Sequence, residues 1–372
     1  MEVPFVDLAG QYHDLRDEML AAIDSVLSDA RVILGREVDE FENRFAEFSG
    51  VRHCVSVANG TDALHLALRA MGIGAGDEVI TAANTFMATA IAIASAGATP
   101  VFVDINSDDF NMDPELLERA ITPRTKAIAP VHLYGQPADM DPIRRVAEKR
   151  GLKILADTCQ SHGAFYHGRP VATLSDAACY SFYPSKNLGA YGDGGAIVTD
   201  DSKIAERARL LRNYGQQRKN ESQLLGYNSR LDTVQAAILL VKLKHLNAWT
   251  EARRSAAAQY SQRLANSGIV TPLEMPGRRH VYHLYVVQHP ERDALLEHLK
   301  RSGVQAGIHY PTPVPHTKPF EGARTVPEGC PNATRISGRI LSLPICPKLT
   351  SAQVEHVAES VQSFQAAEAM VA

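Results

Sequence analysis

With 372 residues, 45% of them hydrophobic and 22% charged, the chain has the make-up of an ordinary globular protein and exceeds what one hydrophobic core usually serves. A formal charge of −4 argues against nucleic acid or an anionic membrane as partner, so any phosphorylated ligand has to be held by local groups. Five scattered cysteines (54, 159, 179, 330 and 346) with no Cys-x-x-Cys pair argue against a zinc site or a disulfide framework and fit cytosolic thiols.

The first residues, Met1-Glu-Val-Pro-Phe-Val-Asp-Leu8, carry an acid where a signal peptide is basic, and no apolar core follows, so a cytoplasmic location is expected. Helical spacing of apolar residues runs from Tyr12 to Leu27 and again from Val38 to Phe48. A short β run, Cys54 to Ala58, then leads through Asn59-Gly60-Thr61-Asp62 into a helical stretch, Ala63 to Met71. Strand, Gly/Thr turn and helix start form an anion site, because the first N–H groups of a helix lack partners and the dipole favours negative charge. On these residues alone, an ordinary turn capped by Thr61 or Asp62 is the simpler explanation.

Gly72, Gly74 and Gly76 end a helix and precede a strand, Glu78 to Thr81, so they are a helix stop and not a dinucleotide fingerprint. Met87 to Val103 divides into a buried helix and a strand, too short and broken to span a bilayer. Strands at Val101–Asp104, Ala127–His132 and Lys153–Ala156 alternate with helices at Pro114–Ala120 and Asp141–Arg150. Such alternation predicts an α/β fold with a largely parallel sheet covered on both faces, and ligands gather beyond the carboxyl ends of its strands. Gly60, Thr61, Phe86, Asp157 and Lys186 all fall at or just past such ends.

Lys186 sits between an apolar run, Ala177 to Phe182, and a β-type run, Ala196 to Thr199, among small and turn-forming residues. A buried lysine sheds its proton more easily than a surface one and becomes a Schiff-base nucleophile, whereas the same residue in an open loop is only solvated. Asp157 after its strand is either a partner for a cationic ring or a turn cap. Beyond the helical stretch Lys203–Arg212, a polar loop spans Gln216 to Gly226, followed by Tyr227-Asn228-Ser-Arg230-Leu-Asp232 and one long helical stretch to Leu264. The remainder predicts a strand Val281–Gln288, a helix Arg292–Arg301, a proline-rich loop His309–Pro319 and a last helix Ala352–Phe364.

Ser181, Lys186 and Gly192-Asp-Gly-Gly195 together resemble the lysine signature of the DegT/DnrJ/EryC1/StrS family of pyridoxal phosphate (PLP) sugar aminotransferases, and the resemblance extends from Phe5-Val-Asp-Leu8 to Leu341-Ser-Leu-Pro344. It implies a fold-type I aminotransferase, with a large PLP-binding domain over residues 1–250 and a smaller C-terminal α+β domain over 251–372. It also implies Lys186 as the Schiff-base lysine and proton shuttle, and Asp157 as the carboxylate that keeps the pyridine nitrogen protonated. Gln160, in Asp157-Thr-Cys-Gln160-Ser-His162-Gly163, would lie near the cofactor ring and Phe86 over its face. The phosphate would be held by Gly60, Thr61 and Asp62, by Ser181, and by Asn228 reaching across from a second subunit of a homodimer.

Asn59 to Leu66, Tyr183 to Gly189 and His309-Tyr310-Pro311 resemble the 3-ketosugar branch, which implies amine transfer from L-glutamate to C3 of a nucleotide-linked ketosugar and places Tyr183, His309, Tyr310 and Arg230 at the substrate. Arg230 is suited to a uronate carboxylate or to an intrachain ion pair. A UDP or dTDP nucleotide, a 4-ketosugar substrate and a catalytically silent regulatory role stay open. Two departures stand out: His316 follows one residue more than the family spacing, and Cys346 replaces a histidine common in relatives. No metal site, nucleic acid or membrane partner is implied.

Overall fold

In the computed structural model, which describes the backbone of residues 1–371 and the side chains of residues 1–364, α1 (Leu8–Asp29) and α2 (Arg36–Ser49) precede an alternating run. It consists of β1 (His53–Val57), α3 (Gly60–Ala70), β2 (Glu78–Ala82), α4 (Met87–Ser95), β3 (Thr99–Val103), β4 (Thr125–Ala129), α5 (Met140–Arg150) and β5 (Lys153–Asp157). After β6 (Ala177–Ser181) and β7 (Gly195–Thr199) come α6 (Ser202–Arg212), α7 (Thr233–Leu243) and α8 (Leu246–Leu264). The chain closes with β8 (Tyr285–Gln288), α9 (Arg292–Arg301), β9 (Thr325–Val326), α10 (Pro331–Ser337), β10 (Ile340–Leu343) and α11 (Ser351–Val371).

Eight strands form the central sheet in the order β1-β7-β6-β5-β4-β2-β3-β9. Only β7 runs against its neighbours β1 and β6; the remaining pairs are parallel. Side chains alternate across each strand, so consecutive residues enter different cores. Val79, Ala127, Ala129, Leu155 and Ile197 pack under α3, α4 and α6, whereas Ile80, Val101, Val103 and Ile128 pack on the opposite face with Met140 and Ile143 of α5. Further along that face, Phe41 and Phe45 of α2 meet Ala178, Tyr180 and Leu239. This is the mostly parallel α/β architecture predicted from the sequence.

A separate core gathers Tyr260 and Leu264 of α8, Tyr285 and Val287 of β8, Leu295 and Leu299 of α9, Leu341 and Leu343 of β10, and Val354 and Val357 of α11. There β8 and β10 pair antiparallel, from Tyr285 opposite Leu343 to Gln288 opposite Ile340.

Four elements depart from the sequence expectations. The helix expected over Pro114–Ala120 is a 3-10 turn, Pro114–Leu116, followed by a single helical turn, Leu117–Ala120. The strand predicted from Val281 begins only at Tyr285, because Val281 N–H and Leu284 N–H donate to the carbonyls of Gly135 and Tyr134 in the loop beyond β4. The single long helix expected up to Leu264 is two helices, interrupted where His245 N–H bonds back to Lys242 over a tightened turn. The polar loop 216–226 contains a short hairpin, Gln216–Arg218 against Glu221–Ser222. No helix among the described residues is long and apolar enough to cross a membrane.

Candidate active site

The carboxyl ends of β1, β2, β5 and β6 share one edge of the sheet, since β7 alone is reversed, and a cavity of about 680 Å³ opens there. Gly60, Thr61, Asp62, Phe86, Asp157, Gln160, Ser181, Tyr183, Lys186, His309 and Tyr310 all line it, brought together from five separate stretches of chain. Asn228 and Arg230 do not line it within this chain. Asn228 is exposed, and Arg230 donates to Asn213 Oδ1 at 3.1 Å and stands 5.6 Å from the Tyr214 ring centroid.

The turn after β1 is built for an anion. Asn59 Oδ1 caps α3 by accepting from Asp62 N–H at 2.8 Å, while among the described residues the N–H groups of Gly60 and Thr61 have no acceptor. A Cβ on Gly60 would lie 2.6 Å from Ser181 Cβ, so only glycine lets this backbone close on Ser181. Ser181 Oγ accepts from Tyr183 N–H at 3.3 Å and keeps its own proton to donate. Asp62 is turned to the protein: Ser229 Oγ donates to its Oδ2 at 2.6 Å.

Asp157, the last residue of β5, is 6% exposed, which makes it a buried carboxylate facing a cavity. Thr89 Oγ1 donates to its Oδ2 at 2.7 Å and Cys159 N–H to its Oδ1 at 3.1 Å, and no cation of the described residues pairs with it. A buried carboxylate with no cation in direct contact leaves room for a cationic partner from outside the chain. Phe86 is 53% exposed although it lines the cavity, with the Tyr310 ring 5.5 Å away and inclined by 38°. An uncovered aromatic face there suits a flat ring.

Burial draws the Lys186 ammonium below the ordinary lysine value, against the opposing pull of Cys159 and Asp157. Around it the imidazoles are held neutral: His309 is drawn down to about 4 by burial and then by Lys186, and His283 well below its usual value for the same reasons. His309 stacks on Phe5 at 5.5 Å, and its Nδ1 bonds Ser342 Oγ at 2.8 Å. Gln160 is committed at both ends of its amide, accepting from Tyr134 N–H at 2.7 Å and donating to Tyr310 Oη at 3.2 Å.

Sequence reasoning does not reach Thr89, Tyr134, His283 and Phe5. His283 lines the cavity and its buried Nδ1 has no partner, while the Tyr134 hydroxyl donates to the His309 carbonyl. The only signal is the cluster of histidine and tyrosine in His280-Val-Tyr-His-Leu-Tyr285, whose composition is that of a strand. His316 lies in a short 3-10 turn outside the cavity lining, and Cys346 is buried beside Arg253. Among the described residues no cluster of His, Cys, Asp and Glu could hold a metal.

The donor set fits pyridoxal phosphate. Gly60, Thr61 and Ser181 suit its phosphate, Asp157 its ring N–H, Phe86 the ring face, and Lys186 its aldehyde.

Residues 13–362 match the model of the DegT/DnrJ/EryC1/StrS aminotransferase family. The chain is 47% identical over 368 residues to the "Pleiotropic regulatory protein" of Geobacillus stearothermophilus, covering 98% of this chain and 99% of that one. It is also 47% identical over 364 residues to the dTDP-3-amino-3,4,6-trideoxy-alpha-D-glucose transaminase of Streptomyces venezuelae, covering 97% and 96% of the two. The crystal structure of S. venezuelae DesV in complex with a ketimine intermediate superposes with a TM-score of 0.95 at 45% identity, covering 98% of each chain.

Proposed function

The chain belongs to the DegT/DnrJ/EryC1/StrS aminotransferase family, and we propose that it uses pyridoxal phosphate to move an amino group from L-glutamate to C3 of a nucleotide-linked ketosugar. The observation that carries this is the meeting, in one cavity, of an amine of lowered proton affinity, a buried carboxylate that forms no ion pair and a helix start with free N–H groups. The choice of C3 is supported by a relative named for a 3-amino sugar product.

Bound pyridoxal phosphate supplies an electron sink for the carbon that loses or gains a proton. Asp157, fixed by Thr89, would hold the ring nitrogen in its protonated form. Lys186 Nζ, once freed by an incoming amine, would carry the proton to and from the substrate carbon, a role suited by the lowering of its proton affinity through burial. The same amine would serve the ketosugar half-reaction in reverse. Tyr183, exposed at the mouth, and the His309–Tyr310 pair bound the space left for the sugar.

Lys186 is the only lysine or arginine in the described lining, although cofactor phosphate, nucleotide and donor all bring negative charge. Asn228 and Arg230 lie outside their own cavity, next to the exposed Tyr214 (46%) and Leu225 (86%). A homodimer in which these two residues enter the neighbour's cavity answers both facts. With Arg230 so placed, it takes a uronate carboxylate or a nucleotide phosphate.

A catalytically silent regulator is the second reading, favoured by the names of two relatives, a pleiotropic regulatory protein and a sensory transduction protein. Incubation with PLP, glutamate and, in turn, 3-keto and 4-keto sugar nucleotides separates the alternatives. Release of 2-oxoglutarate with the 3-keto compound is the expected result, release with the 4-keto compound alone sinks the C3 assignment, and a protein that takes up no PLP is the regulator.

A further inference from the structure

Lys242 lies in the last turn of α7 and is 1% exposed. Its ammonium has no carboxylate partner among the described residues, and burial draws its proton affinity down to about 8. Taking an ammonium out of water is costly, and the neighbours on α7 are Ile238, Leu239 and Val241, among which a methionine or leucine would pack without that cost.

What the ammonium meets is the segment that bears Lys186. Lys242 Nζ donates to the Gly189 carbonyl and stands 4.8 Å from the centroid of the Tyr191 ring. Gln235, seven residues earlier and so on the same helix face, holds Tyr191 as well: its Oε1 accepts from Tyr191 N–H at 2.8 Å and its Nε2 donates to the Tyr191 carbonyl at 3.1 Å. The segment also closes on itself, since Lys186 N–H donates to the Tyr183 carbonyl at 2.8 Å and Ala190 N–H to the Phe182 carbonyl at 2.7 Å. Gly189 is walled in, with a Cβ there falling 2.3 Å from the Pro184 carbonyl. A displacement of Gly189 is therefore a displacement of the whole 182–190 turn.

We propose that Lys242 is a positioning residue for Lys186, its buried ammonium clamping the Gly189 carbonyl and the Tyr191 ring so that the turn presents the Lys186 amine to the cavity from one fixed point. This rests on Lys186 being the attachment point for pyridoxal phosphate. The cation polarises a carbonyl three residues from Lys186 and stacks on an aromatic face, two interactions that a neutral side chain of equal length does not make.

The test follows covalent attachment as well as turnover. Cofactor-free wild type, Lys242→Met and Lys242→Gln are mixed with PLP, reduced with borohydride at timed intervals, and the label on the Lys186 peptide is quantified by mass. Lys242→Met should attach about tenfold more slowly and lose about tenfold in kcat with the sugar KM unchanged, as expected when a reacting group is misplaced while substrate binding stays intact. Lys242→Gln, which keeps an N–H for Gly189, should recover part of both. Attachment at the wild-type rate in a Lys242→Met protein that merely melts at lower temperature overturns the proposal. If Lys242→Met does not fold, Tyr191→Leu removes the ring from the clamp at a 37% exposed site, and an unchanged attachment rate there overturns it equally. Label on another lysine in the wild type refutes the assignment of Lys186 itself, and this inference with it.

Discussion

Thr89 Oγ1 lies 2.7 Å from Asp157 Oδ2 and 3.3 Å from the Phe86 carbonyl, so one hydroxyl on α4 ties the carboxylate at the end of β5 to the aromatic residue that opens the helix. Thr85 Oγ1, 2.9 Å away, completes the group. The acidic side chain and the backbone of the aromatic residue, both candidates for cofactor binding, are thereby set relative to each other by a residue that is itself buried from solvent.

Thr89→Val keeps the shape and removes the hydroxyl. It should weaken PLP binding by about tenfold to a hundredfold, the value of a hydrogen bond to a charged acceptor, with Thr89→Ser close to wild type. Fluorescence titration of cofactor-free protein with PLP measures this, and equal affinity in the valine variant would separate Thr89 from the site.

Lys186→Ala should lower turnover by about four orders of magnitude, because it removes both the nucleophile and the proton carrier. PLP should still bind through the turn at Gly60 and Thr61. Turnover within tenfold of wild type, measured with glutamate and a 3-keto sugar nucleotide, contradicts the assignment.

A shared site predicts complementation. Asn228→Ala should weaken cofactor binding in the cavity of the neighbouring subunit. Mixed with Lys186→Ala protein under conditions of confirmed subunit exchange, it should yield dimers holding one intact site and so restore activity lost in both parents. Absence of recovery argues for sites complete within one chain.

Two buried histidines set an acid limit. His132 Nδ1 accepts from Ala138 N–H and His280 Nδ1 from Tyr282 N–H, both at 2.9 Å, so each must be neutral at that nitrogen in the folded state. Burial draws both down to about 3. The unfolded chain binds these protons near pH 6.5 while the folded chain does not, so the stabilisation is complete above that pH and declines as pH falls toward about 3. At about 1.4 kcal/mol per pH unit and group, the pair should remove about 3 kcal/mol between pH 6.5 and pH 5. A urea midpoint that stays constant over that interval contradicts it.

Arg212→Met should destabilise by about 3–5 kcal/mol, because it strands Glu42 in the interior. Glu42 Oε1 accepts from Ser56 N–H at 2.9 Å and Ser56 Oγ at 2.8 Å as well as from Arg212, which itself donates to the Ser56 carbonyl at 2.8 Å. Adding Glu42→Gln to the same protein should recover part of the loss in urea denaturation. A single variant within about 1 kcal/mol of wild type would place the pair outside the stability balance.

What can be read from the chain is what is continuous along it. The Asn59–Asp62 turn and the Ser181–Gly195 segment are each one stretch, and the alternation from His53 to Asp157 carries the parallel sheet on its face. Thr89, Tyr134 and His283 escape because their roles arise across long separations: Thr89 reaches Asp157 over 68 residues and Tyr134 reaches His309 over 175. Residues 281–284 have strand composition, yet Val281 and Leu284 spend their N–H groups on the loop at 134–135 and Tyr282 donates to His280, choices made by tertiary packing and invisible to periodicity. Asn228 and Arg230 belong to a motif legible in sequence, yet the cavity of their own chain does not include them.

The reversal of β7 has a kinetic corollary. Because β6 and β7 are neighbours in opposite directions, the lysine segment returns directly from Ser181 to its register partner Gly195 without a helical crossover. Closing so short a loop costs little chain entropy, whereas uniting Gly60, Asp157 and His309 requires the assembly of distant parts. The closure of the loop that bears Lys186 is therefore a low-contact-order feature, available early in folding, whereas its clamp from Lys242 and the cavity around it are completed only when distant parts of the chain dock.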